Sequence, residues 1–239
     1  MTPAGNSARG GRTLAEWFPA SVVRSLAAPL TTEANAESAI PSYTHWNPAI
    51  RWLMFRRLEM IRRMALQILG GEECHPEAAA LDYGCGIGMM IPALAGSVET
   101  LYLSDEQLAP ARSTVARFAA KNVTLVPPEA LDAQIPDRTL NLVIAADVLE
   151  HVDDLPALVG ILRRKLRAGG ALIVSGPTEN WLYRLGRAIA GFSGDYHVRS
   201  VFEVEDAIRD ERFTCERVRH LPFPVGPDLF RITLWRRND

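Results

Sequence analysis

Cysteine is scarce in this chain, net charge is small, and long apolar runs are missing, and each shortage removes a class of function. Among 239 residues there are three cysteines, Cys74, Cys85 and Cys215, and their scattered spacing matches neither a zinc site nor a disulfide framework. An odd, dispersed set of this kind predicts a reducing, cytoplasmic setting. The formal net charge of −2 gives no global attraction to nucleic acid. No apolar run approaches the ~20 residues of a membrane span, and the N-terminus lacks the unbroken apolar stretch of a signal peptide. Histidine, the usual base near neutral pH, occurs five times, at positions 45, 75, 151, 197 and 220.

What is present suits one globular domain able to bury a sizeable core, with 48% hydrophobic and 23% charged residues. Residues 1–12, rich in small and polar types, read as a disordered tail. Residues 13–71 read as an N-terminal helical segment. Within it, Leu14 to Leu30 is apolar-biased and broken by Pro19 and Pro29. About Pro48 to Leu69, three-and-four spacing puts Leu53, Met54, Ile61, Met64, Ala65 and Ile68 on one helix face, and Arg51, Arg56, Arg57, Arg62 and Arg63 mostly on the others. From residue 72 onward, short apolar runs alternate with helical patterns, which predicts parallel strands joined by crossover helices. The strands are expected near 79–83, 100–104, 122–126, 141–146 and 171–175. Two more strand-like stretches, Phe213 to Leu221 and Leu229 to Arg236, follow.

The densest signal is Ala80-Leu-Asp-Tyr-Gly-Cys-Gly-Ile-Gly88, a strand running into an acid and then three glycines at alternate positions. Glycine is needed where backbone turns with positive φ or approaches a ligand more closely than a Cβ allows. A dinucleotide fingerprint is excluded because Met89 holds the position of its third glycine, and a P-loop because no Gly-Lys-Ser/Thr follows. The remaining pattern resembles motif I of the S-adenosylmethionine-dependent class I methyltransferases. Later blocks fall in the same order: Asp105 closing Leu101-Tyr-Leu-Ser104, then Asn141 to Val152, then Leu166 to Pro177. Together they span roughly residues 78 to 180.

The resemblance implies an α/β, Rossmann-like, doubly wound seven-stranded sheet, mostly parallel with an antiparallel last strand, over residues 72–239, with the N-terminal helices as a lid. It implies S-adenosyl-L-methionine as cofactor and S-adenosyl-L-homocysteine as product. Asp82, Gly84, Cys85, Gly86 and Gly88 would shape the methionine and ribose end, Asp105 would accept hydrogen bonds from the ribose hydroxyls, and Asp147 would flank the cofactor. Two departures stand out. The acids nearest the family's adenine position, Glu129 and Asp132, match it poorly, and Asn141 replaces an aspartate that usually opens the fourth strand.

Because the sulfonium methyl is already a strong electrophile, positioning of the acceptor is expected to dominate, with a base needed when the acceptor is a hydroxyl. His151, in the fourth-strand turn, and His197, in a loop after the fifth strand, are the candidate catalytic bases; the competing readings are a turn-holding hydrogen bond and a loop-stabilising role. Asp147-x-x-Glu150-His151 with His197 also resembles the metal-holding string of some ubiquinone-pathway and RNA-end methyltransferases. The shorter Asp147 argues against it, and no metal is expected. Tyr43, His45, Trp46, Trp181 and Tyr196 would line an acceptor pocket suited to an aromatic or lipid-like small molecule, unless they pack the lid onto the sheet. Arg163, Arg164, Lys165 and Arg167 read as a solvated helix end rather than a nucleic-acid footprint. Leu14 to Leu30 could rest weakly on a membrane surface. The expected function is methyl transfer to a small-molecule oxygen, with a hydroxyl favoured, of the kind found in ubiquinone and menaquinone biosynthesis. The rival readings are a cofactor-binding partner without catalysis, a non-methylating use of the sulfonium, and methylation of a macromolecule.

Overall fold

The computed structural model describes residues 11–70, 75–178, 180, 183, 199–223 and 228–238. Seven strands form one sheet: β1 (His75–Tyr83), β2 (Val98–Ser104), β3 (Val123–Leu125), β4 (Leu140–Ala146), β5 (Leu166–Pro177), β6 (Phe213–Leu221) and β7 (Phe230–Arg237). Their order is β3-β2-β1-β4-β5-β7-β6. The first five are parallel, and β7 runs antiparallel between β5 and β6. The doubly wound, mostly parallel sheet with an antiparallel final strand is thus as expected. Strand order reverses at β1, whose neighbours are β2 and β4, and in open α/β sheets ligands bind outside the carboxyl ends of the strands at such a switch point.

Both faces of the sheet are covered, which is why the central strands read as nearly continuous apolar runs. On one face Leu142 and Ile144 of β4 pack with Ile61 and Met64 of α5 (Pro48–Ile68) and with Ile91 and Leu94 of α6 (Ile91–Leu94). On the other, Val143 and Ala145 pack with Leu155, Val159 and Leu162, which belong to a helix over Leu155–Lys165, and with Val204, Ile208 and Trp235. The strand β5 starts earlier than expected, because the chain leaves that helix directly into Leu166 and Gly169, at φ 67°, absorbs the register shift against β4. At the start of β4, the Asn141 amide oxygen accepts the Ala79 N–H at 3.1 Å. A carboxylate is not required for that tie, which accounts for the amide.

The N-terminal helices α1 (Leu14–Trp17), α2 (Ala20–Ala27), α3 (Thr32–Glu37) and α4 (Ile40–Tyr43) precede α5 and share its apolar cluster with the sheet. Leu14, Trp17, Phe18 and Val23 are buried, and Phe18 meets Phe118 at 5.7 Å between ring centroids. These apolar side chains serve the core, so the membrane-surface expectation for Leu14 to Leu30 gives way to packing. Thr13 and Glu16 cap α1 reciprocally, and Asn47 caps α5. Residues 1–10 of the expected tail, and Cys74, lie outside the described residues.

A buried carboxylate joins the two ends of this N-terminal helical segment. Glu59 of α5 accepts the Leu14 N–H at 2.7 Å and is paired with Arg62 at 2.6 Å. Glu59→Leu is expected to lower stability by about 1–3 kcal/mol, since it strands a buried donor. Glu59→Gln, which keeps an acceptor for Leu14, should lose less; urea denaturation of both variants checks the difference.

Candidate cofactor and acceptor site

Directly after β1 the chain turns through three positive-φ glycines, Gly84 at 72°, Gly86 at 53° and Gly88 at 75°. The turn is docked on the end of β2, where the Ser104 carbonyl accepts the N–H groups of Gly84 at 2.8 Å and Cys85 at 3.1 Å. One residue on, the Asp105 carboxylate closes the arrangement. Its Oδ2 accepts the Gly86 N–H at 2.8 Å and its Oδ1 accepts the Gln107 N–H at 2.9 Å. Each oxygen keeps a further lone pair, so Asp105 can organise the loop and still receive two hydroxyl donors.

The glycines differ in what they provide. A Cβ on Gly84 would lie 2.5 Å from the Cβ of Val148, and one on Gly88 would lie 2.6 Å from Ile91 Cδ1. Those two positions are needed for close packing. Around a Cβ on Gly86, by contrast, nothing lies within 4 Å. That open space belongs to a cavity of about 870 Å³ lined by Asp82, Gly84, Cys85, Gly86, Asp105 and Asp147 among others. Gly88 is not part of the lining. Asp82 is buried, and its carboxyl is pushed up to about 7, by burial first and by the nearby Asp105 second. Burial, followed by Asp82 and Asp105, also holds the Cys85 thiol well above its ordinary value, so Cys85 is a poor nucleophile.

The opposite wall comes from the N-terminal helices, with Ile40, Tyr43, Arg57 and Leu58 facing the cavity. His151 lines it as well and lies in a one-turn 3-10 helix, Leu149–His151, where its N–H donates to the Val148 carbonyl at 3.1 Å. Of the expected acceptor aromatics, Tyr43 is at the cavity, while His45 and Trp46 are not in its lining. His45 Nδ1 accepts the Asn47 N–H at 3.0 Å, and Trp46 is 81% exposed. Both mark the start of α5. Trp181, Tyr196 and His197 lie outside the described residues. Asp132 is committed elsewhere, at 2.8 Å from both Lys165 and Arg164, and neither it nor Glu129 lines the cavity, whereas Pro128 does.

One central residue escaped the sequence reading. Arg57 is 1% exposed, and its Nη1 is ion-paired with Asp147 Oδ2. Asp147 has φ 54°, and Ser175 holds it twice: the Ser175 carbonyl accepts the Asp147 N–H at 2.8 Å, and the Ser175 hydroxyl donates to Asp147 Oδ1 at 2.9 Å. Arg57 Nη2 donates to the Tyr43 hydroxyl at 3.0 Å, and the guanidinium lies 4.9 Å from the Phe230 ring centroid. Tyr183 meets the same ring edge-on at 5.6 Å. Both carboxylate oxygens of Asp147 are therefore engaged, one by an organic cation, which weighs against its use as a metal ligand. The signal was available: Arg57 lies three residues after Met54 and four before Ile61, on the apolar face itself.

Substituting the glycines should separate their roles. Gly84→Ala meets both a positive φ and Val148, and is expected to cost about 2–4 kcal/mol in thermal or urea unfolding. Gly86→Ala meets only the φ cost, about 1–2 kcal/mol, and its main effect should be on ligand affinity.

The profile of the methyltransferase domain family matches residues 53–232. Among curated proteins, the chain is 26% identical over 159 residues to malonyl-acyl-carrier protein O-methyltransferase of Serratia marcescens, covering 66% of this chain and 60% of that protein. It is 29% identical over 121 residues to ribosomal protein L11 methyltransferase of Ralstonia pickettii, covering 50% of this chain and 39% of that one. The chain thus spans less than two thirds of either relative. Among solved structures, the N-methyltransferase NodS of Bradyrhizobium japonicum, in complex with S-adenosyl-L-homocysteine, superposes with TM-score 0.62 at 17% identity over 91% of this chain and 98% of that one. An S-adenosylmethionine-dependent methyltransferase of Aquifex aeolicus superposes with TM-score 0.56 at 19% identity over 74% and 89%. With the family profile covering most of its length and the glycine loop, Asp105 and sheet order in place, the chain belongs to the S-adenosylmethionine-dependent class I methyltransferases.

Proposed function

We propose that the protein transfers a methyl group from S-adenosylmethionine to an oxygen atom of a small-molecule acceptor, a hydroxyl in the reading the sequence favours. The observation that carries this reading is the single cavity bounded by the glycine loop and Asp105 on one side and by the lid residues Ile40, Tyr43 and Leu58 on the other. A volume of about 870 Å³ lies in the usual range for ligand sites. The cofactor suits the residues present. Asp105 offers two acceptor lone pairs, Gly86 leaves room against bare backbone, and Asp82 supplies a buried carboxyl for a cationic ammonium. When bound, S-adenosylmethionine supplies an electrophilic methyl carbon on sulfur.

The remaining work is the protein's own. Asp105 would hold the ribose, Asp82 the amino-acid end, and the lid would exclude water and fix the acceptor oxygen in line with the methyl group. His151, at the cavity wall, would take the proton of an acceptor hydroxyl. Oxygen is favoured by the Serratia relative, which is an O-methyltransferase by name; the small-molecule part rests on a cavity bounded by the lid and on the net charge of −2.

Titration calorimetry with S-adenosylhomocysteine tests the cofactor site. Binding at or below ~100 μM is expected, with at least a tenfold loss in Asp105→Ala, because two charge-assisted hydrogen bonds disappear. A folded wild-type protein that binds neither S-adenosylmethionine nor S-adenosylhomocysteine would sink the reading.

The raised carboxyl of Asp82 adds a pH signature. Since burial favours its protonated form, folding takes up a proton between about pH 4 and 7, and the ligand-free protein should lose stability as pH rises across that window. A cationic ligand favours the ionised form instead. Binding is therefore expected to release a proton below about pH 7, with affinity falling up to about tenfold per pH unit on acidification. Calorimetry in buffers of different ionisation enthalpy reads the proton release, which Asp82→Asn should abolish.

A further inference from the structure

The start and the outer face of α5 carry side chains that neither the core nor the cavity uses. Tryptophan is normally well buried, yet Trp46, just before the helix, is 81% exposed and Trp52, in its second turn, is 57% exposed. Neither lines the cavity. Phe223, two residues past the end of β6, is 63% exposed at the same carboxyl edge of the sheet.

The charge of the helix is one-sided. Its arginines are Arg51, Arg56, Arg57, Arg62 and Arg63, against one acid, Glu59. Arg57 is paired with Asp147 and Arg62 with Glu59, which leaves Arg51, Arg56 and Arg63 with no ion pair among the described residues. Helical spacing aligns Trp52, Arg56, Arg63 and Gln67, all exposed, along a stripe about 22 Å long. Beside it runs β6, an edge strand of the sheet. Arg217 of β6 donates to the Gln67 side-chain oxygen at 3.0 Å, and Leu221 shares an apolar cluster with α5. Strand alternation puts Arg219, midway between them and exposed, on the same face. Glu216, the acid of this strand, is held by Arg236 at 2.9 Å, while Arg217 and Arg219 have no acidic partner among the described residues.

We propose that this surface docks on an anionic lipid membrane, with Arg56, Arg63, Arg217 and Arg219 against the headgroups and Trp46 and Trp52 seated among them. Indole is apolar in body and polar at its N–H, which suits the boundary between headgroups and acyl chains. Arginines gathered on one face are drawn to a negative bilayer even when the whole molecule is not cationic. The acids Glu33, Asp105, Glu106 and Asp153 line the cavity and lie outside the strip, so the charge is segregated and orients the molecule on a negative surface. A protein partner would be expected to seat its anchoring side chains in a pocket, and the strip residues line neither of the two cavities described above α5 and beside α1. A fluid planar surface needs no matching groove. Because α4 and α5 also supply Ile40, Tyr43 and Leu58 to the cavity wall, docking sets the cavity beside the bilayer, where molecules with an apolar body are concentrated. The docking itself does not depend on the methyl-transfer reading.

The test titrates the full chain with vesicles of phosphatidylcholine and of phosphatidylcholine mixed with phosphatidylglycerol, read by co-sedimentation and tryptophan emission. Binding to the anionic vesicles is expected to be at least about tenfold tighter, and to fall steeply between about 0.05 and 0.5 M salt. It should shift the emission to the blue in wild type and leave it unmoved in the double variant Trp46→Ser, Trp52→Ser. Arg56→Gln and Arg219→Gln are each expected to weaken binding about fivefold, whereas Arg24→Gln, exposed on α2 outside the strip, leaves it unchanged. Thermal unfolding shows that the variants are folded, and should one strip variant not fold, the other and its Arg24→Gln control decide. Equal binding to the two vesicle types, no binding, or as large a loss in Arg24→Gln as in the strip variants overturns the proposal. So does strip-dependent binding of polyglutamate or duplex DNA that is tighter than binding of the anionic vesicles, which would make the surface one for an acidic macromolecule.

Discussion

The ion pair between Arg57 and Asp147 is the constraint on which the arrangement of the site depends. It links the middle of α5 to the turn after β4, so the N-terminal helices and the carboxyl edge of the sheet are fixed to one another in the cavity wall. Both charges are well buried, with side-chain exposures of 1% and 15%. A pair in such surroundings contributes little net stability relative to an apolar replacement, yet removing one partner alone costs about 3–5 kcal/mol because a buried charge is left behind. What the pair provides is geometry. Asp147 can sit at positive φ because Ser175 holds it through both backbone and side chain, and Arg57 is then aimed by Asp147, Tyr43 and Phe230 together.

The glycine-loop end of the cavity is organised by a second carboxylate with the opposite economy. Asp105 uses one lone pair on each oxygen to hold backbone N–H groups, and these bonds shape the glycine loop before any ligand arrives. Preorganisation of this kind lowers the ordering cost that binding must meet. Asp82, only a few residues from the loop and without an ion-pair partner among the described residues, takes up a proton when the site holds no cation. The two ends of the cavity therefore treat charge differently: negative and tunable at the loop, neutralised and rigid at the lid.

Much of this was legible in the sequence because it depends on local rules. Glycines at alternate positions after an apolar strand, an acid at the end of the next strand, and alternating strand and helix patterns encode the sheet and the loop through backbone conformation and hydrogen bonding. The two terminal strands were also readable, from apolar stretches on either side of a proline-rich turn. Arg57 was overlooked although its spacing from Met54 and Ile61 puts it on the apolar face, because periodicity identifies that face by its apolar residues and gives a cation there no partner. Only the partner decides otherwise, and Asp147 lies ninety residues away in sequence. His45 and Trp46 were drawn toward the pocket by the reverse error: aromatic residues near a helix start suggest a binding wall, whereas here His45 receives the Asn47 N–H and Trp46 faces solvent.

The same contrast bears on how substrate choice is built into such a fold. A loop shaped by backbone N–H groups bonded to the Ser104 carbonyl and one carboxylate depends on few side chains, so its pattern survives in a linear string. Acceptor recognition depends on which side chains a lid helix happens to turn inward, and a single inward cation changes the chemistry the cavity selects. With Arg57 neutralised by Asp147, the wall formed by α4 and α5 presents a paired charge to the cavity rather than a free one.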